Sequence, residues 1–462
     1  MSNATIAAME IAGWTSGPDG RGTFDIIWNS IITIFLCSWT VLCLNLPPEH
    51  FNEWLWARQK LLMTCLVIVG PEFLLQISLG QWLSACRSVK QFQDLGHRDW
   101  TMKHAFLADM GGYVLDSPEE IVQFPLTAKQ VQYLVERRYL QPGDVVVKQK
   151  LITDRNKGDG MTRLITVCQI SWFSLNCVGR LSQRLAITTL ELTALANIFC
   201  TLATYFFWRH KPLDVKTAIP LRPNTALRLI LSNAVAAGEY DGKPYKRSPL
   251  EFVELSDPPT SWDLYWTYGM GFLRSIHVEP PRSKRRPVEK ISDDSFFTLS
   301  APLSLLLFFF QLSFAAIDLA GWNLFFPTSI ERTLWHAAST TIIVCVVLYW
   351  IVDLYVWQLL PSIYEWSPNF LRYKRHLKQS IQQHVPSIYR TCHATAVRLR
   401  NNTLDHDPRF DTPLKAAIPI GVFCAFYCSA RAFVLVESFV SLRLLPKSAY
   451  ETVQWTLFIP HF

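Results

Sequence analysis

Seven polar or charged side chains stand inside stretches apolar enough to cross a membrane: Glu72, Gln76, Glu191, Asp318, Asp353, Arg431 and Glu437. A charge at the bilayer centre costs about 2.5–3.5 kcal/mol on insertion scales, so it persists where it faces other helices or a wet cavity. A carboxyl withdrawn from water holds its proton more readily and can act as a general acid. Glu72 is the first candidate for that role, near the middle of the run Leu61–Ser84, LLMTCLVIVGPEFLLQISLGQWLS. Pro71, just before it, has no N–H to give the Val67 carbonyl. Gln76 and Gly80 follow at four and eight residues, so a carboxyl, an amide and a point of close backbone approach share one helix face. Gln76, Asp318, Arg431 and Glu437 complete the set expected to contact a substrate in a polar cavity. The competing meaning is structural: an internal ion pair, such as Glu72 with Arg431, that locks two helices. Asp318, Asp353 and Glu437 lie near expected helix ends, from which they can simply reach the interface.

Other chemistries have weak signals. Asp293-Asp294 lacks an acidic residue three positions on, so it does not form the diphosphate-binding motif of prenyl-chain enzymes. The stretch DHDPRFD (Asp405, His406, Asp407, Asp411) has the atoms to hold a cation but reads first as a solvated acidic loop. There is no HExxH, paired CxxC, phosphate-binding glycine loop or GxSxG. Neither a metal nor a cofactor is expected. His336 and His461 read as interfacial or packing residues, and no mid-helix lysine in the last apolar run supports a retinal Schiff base.

The elements that must position these residues are membrane helices. Of 462 residues, 50% are hydrophobic and 13% aromatic, with mean hydropathy +0.15. The net charge of +7 sits in connecting segments, where it reflects topology and anionic lipid rather than nucleic acid. Most of the eleven cysteines fall in apolar runs as small packing residues, and their spacing suggests neither a disulfide framework nor a zinc site. The N-terminus lacks a basic region and an apolar run suited to a cleavable signal, leaving the first span as the insertion signal.

The expected fold is all-α, a polytopic bundle of about seven spans with three long extramembrane loops. The chain divides into residues 1–85 (N-terminal segment and two spans), 86–160 (loop), 161–208 (helical hairpin), 209–296 (loop), 297–360 (two spans), 361–413 (basic loop) and 414–462 (last span and aromatic tail). In the hairpin, Glu191 is placed to meet Arg180 or Arg184. The aromatic stretch Ser261–Ser275 suits the interface. An odd number of crossings puts the three loops on the side of the N-terminus and, by their Lys and Arg content, in the cytoplasm, with the C-terminus opposite. The glycosylation sequons at Asn3 and Asn401 fall on that same side and argue for the reverse orientation.

The blocks GWTSGPDGRGTFDIIWNSIITIFLCSWTVLCLNLPP, WTMKHAFLADMGG, FPLTAKQ, FWRHKPLDV and RAFVLVESFVSLRLLPKSAYETVQWTLFIPHF resemble a widespread group of fungal multi-pass membrane proteins. The resemblance spans nearly the whole chain. It implies no particular activity and carries over no catalytic residue. It also implies a cleavable signal peptide, which this sequence lacks; loss of one would make the long loops lumenal. The expected role is in fungal small-molecule (secondary) metabolism, at the endoplasmic reticulum rather than the plasma membrane. A lipophilic substrate would be bound or transformed in the bundle, by acid–base chemistry such as cyclisation or isomerisation with Glu72 as the acid. The expected partners are the lipid bilayer and that small molecule, with no nucleic acid. The alternative is a non-enzymatic endomembrane scaffold or a transporter-like protein; no inverted repeat is visible, which counts against the transporter.

Overall fold

The computed structural model describes residues 11–17, 20–48, 52–117, 123–146, 159–213, 215–254, 286–293, 299–354 and 414–455. Among these the chain is mostly helical. Strand β1 (Ile11–Ala12) precedes α1 (Thr23–Val41), whose first turn is closed by Asp25 Oδ2 accepting the Gly22 N–H at 2.8 Å. Helix α2 (Glu53–Val69) is capped by Asn52, whose side chain accepts the Trp54 N–H at 2.9 Å. Helix α3 (Pro71–Asp94) follows at once, bent from α2 by 109°. The break has a local cause: Pro71 supplies no N–H and also keeps Gly70, at φ −143° and ψ 75°, out of the helical region.

Next come α4 (Met102–Asp109), β2 (Tyr113–Leu115), β3 (Phe124–Leu126) and α5 (Ala128–Glu136). Two long helices, α6 (Asp159–Ser182) and α7 (Thr189–Phe207), lead to β4 (Ile219–Leu221) and α8 (Leu227–Ala236). Helices α9 (Ala301–Ala320), α10 (Ser329–Asp353) and α11 (Leu414–Val440) complete the bundle, and β5 (Leu445–Pro446) closes the described chain.

The segments after α3 and after α7 fold into one layer rather than two. Strand β2 pairs antiparallel with β3 and parallel with β4, in the order β3-β2-β4. Beneath it Phe92, Trp100 and Tyr113 stack, with Phe92–Trp100 centroids 4.3 Å apart. Leu42, Leu44 and Leu46, just past α1, join the same core.

Hydrogen bonds fix the direction of each long helix between this layer end and a terminal end. Helix α1 starts where Thr23 donates to the Tyr450 hydroxyl at 3.3 Å and finishes at the layer. Helix α6 returns beside it, with Thr166 donating to Thr40 at 3.1 Å, Gln169 to Thr33 at 3.0 Å, and Arg180 reaching the Ala449 carbonyl at 3.0 Å. Helix α7 runs back from Thr189, 2.6 Å from the Ser441 hydroxyl, to Trp208, whose indole donates to Gln81 at 3.1 Å. Leu307 of α9 packs by Phe207 near the layer, and Gly321, after α9, packs against Leu192. Helix α10 runs the other way, from Trp335 on the Asp318 carbonyl at 3.2 Å to Trp350 on Gln311 at 2.7 Å. Helix α11 finishes at the terminal end, where β5 pairs antiparallel with β1.

This arrangement bears on one expectation and corrects three others. Among the described residues five helices are long and apolar enough to cross a membrane, or six if the bent pair is one span, against the seven expected: α1, α7, α9, α10 and the later part of α11. Helix α6 matches α1 in course and exposes Leu164, Val167, Trp172, Leu175 and Val178, but falls short in apolarity. The run Leu61–Ser84 is not one straight span but two helices meeting in the interior. The N- and C-terminal ends share one end of the bundle, and the folded layer occupies the other, because α2 and α3 enter and leave on the layer side. Finally, Glu191 pairs with Arg21, not with Arg180 or Arg184. The sequons at Asn3 and Asn401, the stretch Ser261–Ser275, Asp294, the basic loop with Asp405, His406, Asp407 and Asp411, and His461 lie outside the described residues.

Candidate functional site

Both legs of the α2–α3 hairpin are tied to the layer end. Gln59 of α2 donates to Asp293 Oδ2 at 2.8 Å, and Gln81 of α3 accepts from Lys211 Nζ at 2.9 Å. Each glutamine is eleven residues from Gly70. At 1.5 Å per residue each leg is about 16 Å long, and with the legs bent by 109° the apex sits about 13 Å from that end, close to half the thickness of a hydrocarbon core. Glu72 stands in the first turn of α3 at this apex, where an acidic group complements the helix dipole.

Around the apex the polar residues of four helices meet. Tyr427 of α11 donates its hydroxyl to Glu72 Oε1, and its ring meets Phe73 edge-on at 6.3 Å. Arg431, one turn further along α11, donates from Nη1 to Asp318 Oδ2 at 2.6 Å and from Nε to the Val69 carbonyl at 3.1 Å. Its guanidinium lies 4.5 Å over the Phe314 ring. The helix-locking pair is thus Arg431 with Asp318, not Arg431 with Glu72, although the Arg431 charge acts on Glu72 as well. Five buried polar atoms here lack a hydrogen-bond partner among the described residues: Glu72 Oε2, Gln76 Oε1, Asn197 Oδ1, Gln311 Nε2 and Asp318 Oδ1.

Further along the same helices an apolar cleft of about 580 Å³ opens sideways between α3, α7 and α9. Trp82, Phe199, Phe206, Phe207 and Phe310 give it aromatic walls, and Leu202, Ala203, Leu303 and Leu306 the rest. No lining residue is titratable. Glu72 precedes Trp82 by ten residues on α3, about 15 Å along the axis.

Two more polar centres stitch the bundle. At the layer end, Lys211 Nζ donates to the Cys43 carbonyl and Gln81 Oε1, both at 2.9 Å, and sits 4.2 Å over the Trp208 ring. Burial lowers its pKa to about 8. Asp109 accepts from the Ala128 N–H at 3.0 Å and the Ser84 hydroxyl at 2.8 Å, and burial pushes it up to about 6. Asp293 accepts from the Asn45 N–H at 2.5 Å and from Lys290 Nζ at 2.6 Å. At the terminal end, the Arg180 guanidinium binds four carbonyls, those of Ala186, Ser448, Ala449 and Glu451, at 2.7–3.1 Å. Gly17 and Gly22 touch there, since a Cβ on either would meet the other's backbone nitrogen at 2.9 Å.

Of the residues singled out in the sequence, Glu72, Gln76, Asp318 and Arg431 come together at the apex region. Glu437 does not: it is buried on α11 six residues beyond Arg431, where the charges acting on it are Glu331 and Arg443. Asp353 accepts from the Tyr349 hydroxyl at 3.4 Å on its own helix, and His336 stacks on Trp322 at 3.7 Å. Sequence reasoning missed Tyr427, although it lies four residues before Arg431 and so on the same face. It also missed Asn197, Lys211 and Asp109, none of which carries a spacing signal.

A protein-family model described as a family of unknown function (DUF8562) matches residues 1–236, from the N-terminal segment to the end of α8. No curated protein and no solved structure matches the chain.

Proposed function

Because the chain belongs to that family of unknown function, we propose a role from its own geometry: a multi-pass membrane protein that binds a lipophilic molecule in the cleft between α3, α7 and α9. The observation that carries this reading is the cleft itself. Its volume lies in the range of small-molecule sites, its walls are apolar, and Leu202 and Phe206 leave it open toward the lipid-facing side. Five aromatic rings favour a flat or chain-like hydrocarbon body over a polar one. The cleft supports binding and not proton transfer, since no acid or base lines it and Glu72 is about 15 Å away along α3.

The setting that fits is an endomembrane of a fungal cell, serving small-molecule metabolism. Helices α1 and α7 have 19 residues each. At about 28 Å they match the endoplasmic reticulum bilayer, about 27 Å thick, and the 23–25-residue spans in α9, α10 and α11 fit it when tilted. The layer side carries Arg87, Lys90, Arg209 and Lys211 near helix ends, so it faces the cytosol, with both terminal segments in the lumen.

The test is photolabelling of the full chain in nanodiscs with diazirine-bearing sterol and fatty-acid probes. Labelled peptides should concentrate within residues 199–207 and 303–310, and Ala203→Phe, which fills the cleft, should reduce that labelling several-fold. Label spread evenly over the lipid-facing surface, and unchanged in Ala203→Phe, would mark ordinary boundary lipid and leave the scaffold reading in its place.

A further inference from the structure

The unpartnered polar atoms at the hairpin apex have no role in the lipophile reading. Glu72, Gln76, Asn197 and Asp318 are each at least nine-tenths buried, and each has a side-chain oxygen that accepts no hydrogen bond among the described residues. A buried acceptor without a donor costs about 1–3 kcal/mol, so four on facing helices call for a common explanation. Three observations place them in one neighbourhood. Gln76 is one turn from Glu72 on α3. Glu72 and Asp318 act on each other electrostatically. Cys200, one turn from Asn197 on α7, feels the charges of Glu72, Asp318 and Arg431 together.

The charge count points the same way. The groups facing Glu72 are Asp318 from α9, Arg431, Tyr427 and Cys428 from α11, and Cys200 from α7. With both carboxyls ionised, the single guanidinium leaves one negative charge in an apolar interior for a cation to compensate. A broken helix at mid-bilayer depth, lined by hard oxygen acceptors, suits a small cation.

We propose that the apex of the α2–α3 hairpin binds one monovalent cation, a proton or a sodium ion, between Glu72 and Asp318, with the Gln76 and Asn197 amide oxygens as further acceptors. The site stands independently of the lipophile cleft. Thermal unfolding of the full chain in nanodiscs, followed by tryptophan fluorescence, tests it. Sodium chloride is exchanged for choline chloride at constant ionic strength, at several pH values from 5.5 to 8.5. If sodium is the ligand, Tm rises with sodium at pH 8.5, by roughly 1–2 °C for each tenfold excess over half-saturation. If a proton is the ligand, Tm is insensitive to sodium and rises as pH falls. Glu72→Gln abolishes the sodium response in the first case; in the second it removes the Glu72 part of the pH response, leaving the limbs set by Asp109 and Lys211. Gln76→Leu, which keeps every charge and removes an unbonded amide, moves the midpoint of the Glu72-dependent response at least tenfold or by one pH unit. An unmoved midpoint in Gln76→Leu, or a wild type flat to both titrations, overturns the proposal, even where Glu72→Gln fails to fold.

Discussion

Removing Arg431 is expected to be the most damaging single change in the bundle. The guanidinium is 2% exposed, pairs with Asp318 at 2.6 Å, holds the Val69 carbonyl at the hairpin break and covers Phe314. In Arg431→Met, Asp318 and Glu72 lose their shared counter-charge. Breaking a buried pair from one side costs about 3–5 kcal/mol, and the lost cation–π contact adds up to about 2 kcal/mol in a desolvated site. The double variant Arg431→Met, Asp318→Leu removes both charges, and buried pairs replaced by apolar side chains are often neutral or more stable. The double variant should therefore recover most of what the single loses. Equilibrium unfolding in mixed micelles, read as a double-mutant cycle with Asp318→Leu, measures the coupling. An Arg431→Met protein within about 1 kcal/mol of wild type would refute the argument. So would a double variant as unstable as the sum of the singles, because both outcomes would mean that the pair holds nothing.

The layer end has its own pH signature. Asp109, near 6 in the fold against an ordinary 3.8, binds more protons folded than unfolded, so its contribution to stability falls as pH rises from about 4 to 6. Lys211, near 8 against 10.5, binds more protons unfolded, so stability rises by about 3 kcal/mol between pH 8 and 10.5. Asp109→Asn should flatten the acid limb of a Tm–pH curve and Lys211→Met the alkaline limb; limbs unchanged by either variant would count against both assignments. Arg180→Met strands four carbonyls and should release the segment around Ser448–Glu451 to limited proteolysis while the bundle stays protected. Gly22→Ala forces its Cβ against Gly17 and should cost about 1–3 kcal/mol, seen as a lower Tm. Epitope tags at the two chain ends should be protected or accessible together in sealed microsomes, and a tag at Gly143 in the layer should behave oppositely.

The apolar runs made α1, α7, α9, α10 and α11 legible in the sequence, since a span must be long and nearly uncharged whatever surrounds it. The tight α6–α7 turn was equally readable from the few residues between them. Pro71 was visible too, but as a single lost hydrogen bond. Its larger effect, reversal of the chain at mid-depth, depends on Gln59 and Gln81 finding partners on the same end, which no local pattern encodes. That reversal moved the N-terminus to the other side of the bundle from the long connections. The α/β layer was hidden for a similar reason, because β2 and β4 pair across about 100 residues of intervening chain. At the site, Glu72, Gln76, Asp318 and Arg431 stood out because polarity in an apolar run is conspicuous. Their pairing did not, because Asp318 and Glu72 compete for one arginine and sequence distance favours neither.

The pairing of Ile11–Ala12 with Leu445–Pro446 has a consequence for biogenesis. The first strand waits for the synthesis of more than 400 further residues before its partner exists, roughly 20–90 s at ordinary elongation rates. Arg21 waits 170 residues for Glu191, and Tyr450 is absent from the side of Thr23 for the whole interval. The bundle is therefore sealed last at the place where it was begun. A released chain truncated after Leu442 should hold every span inserted yet leave the segment before α1 open to protease.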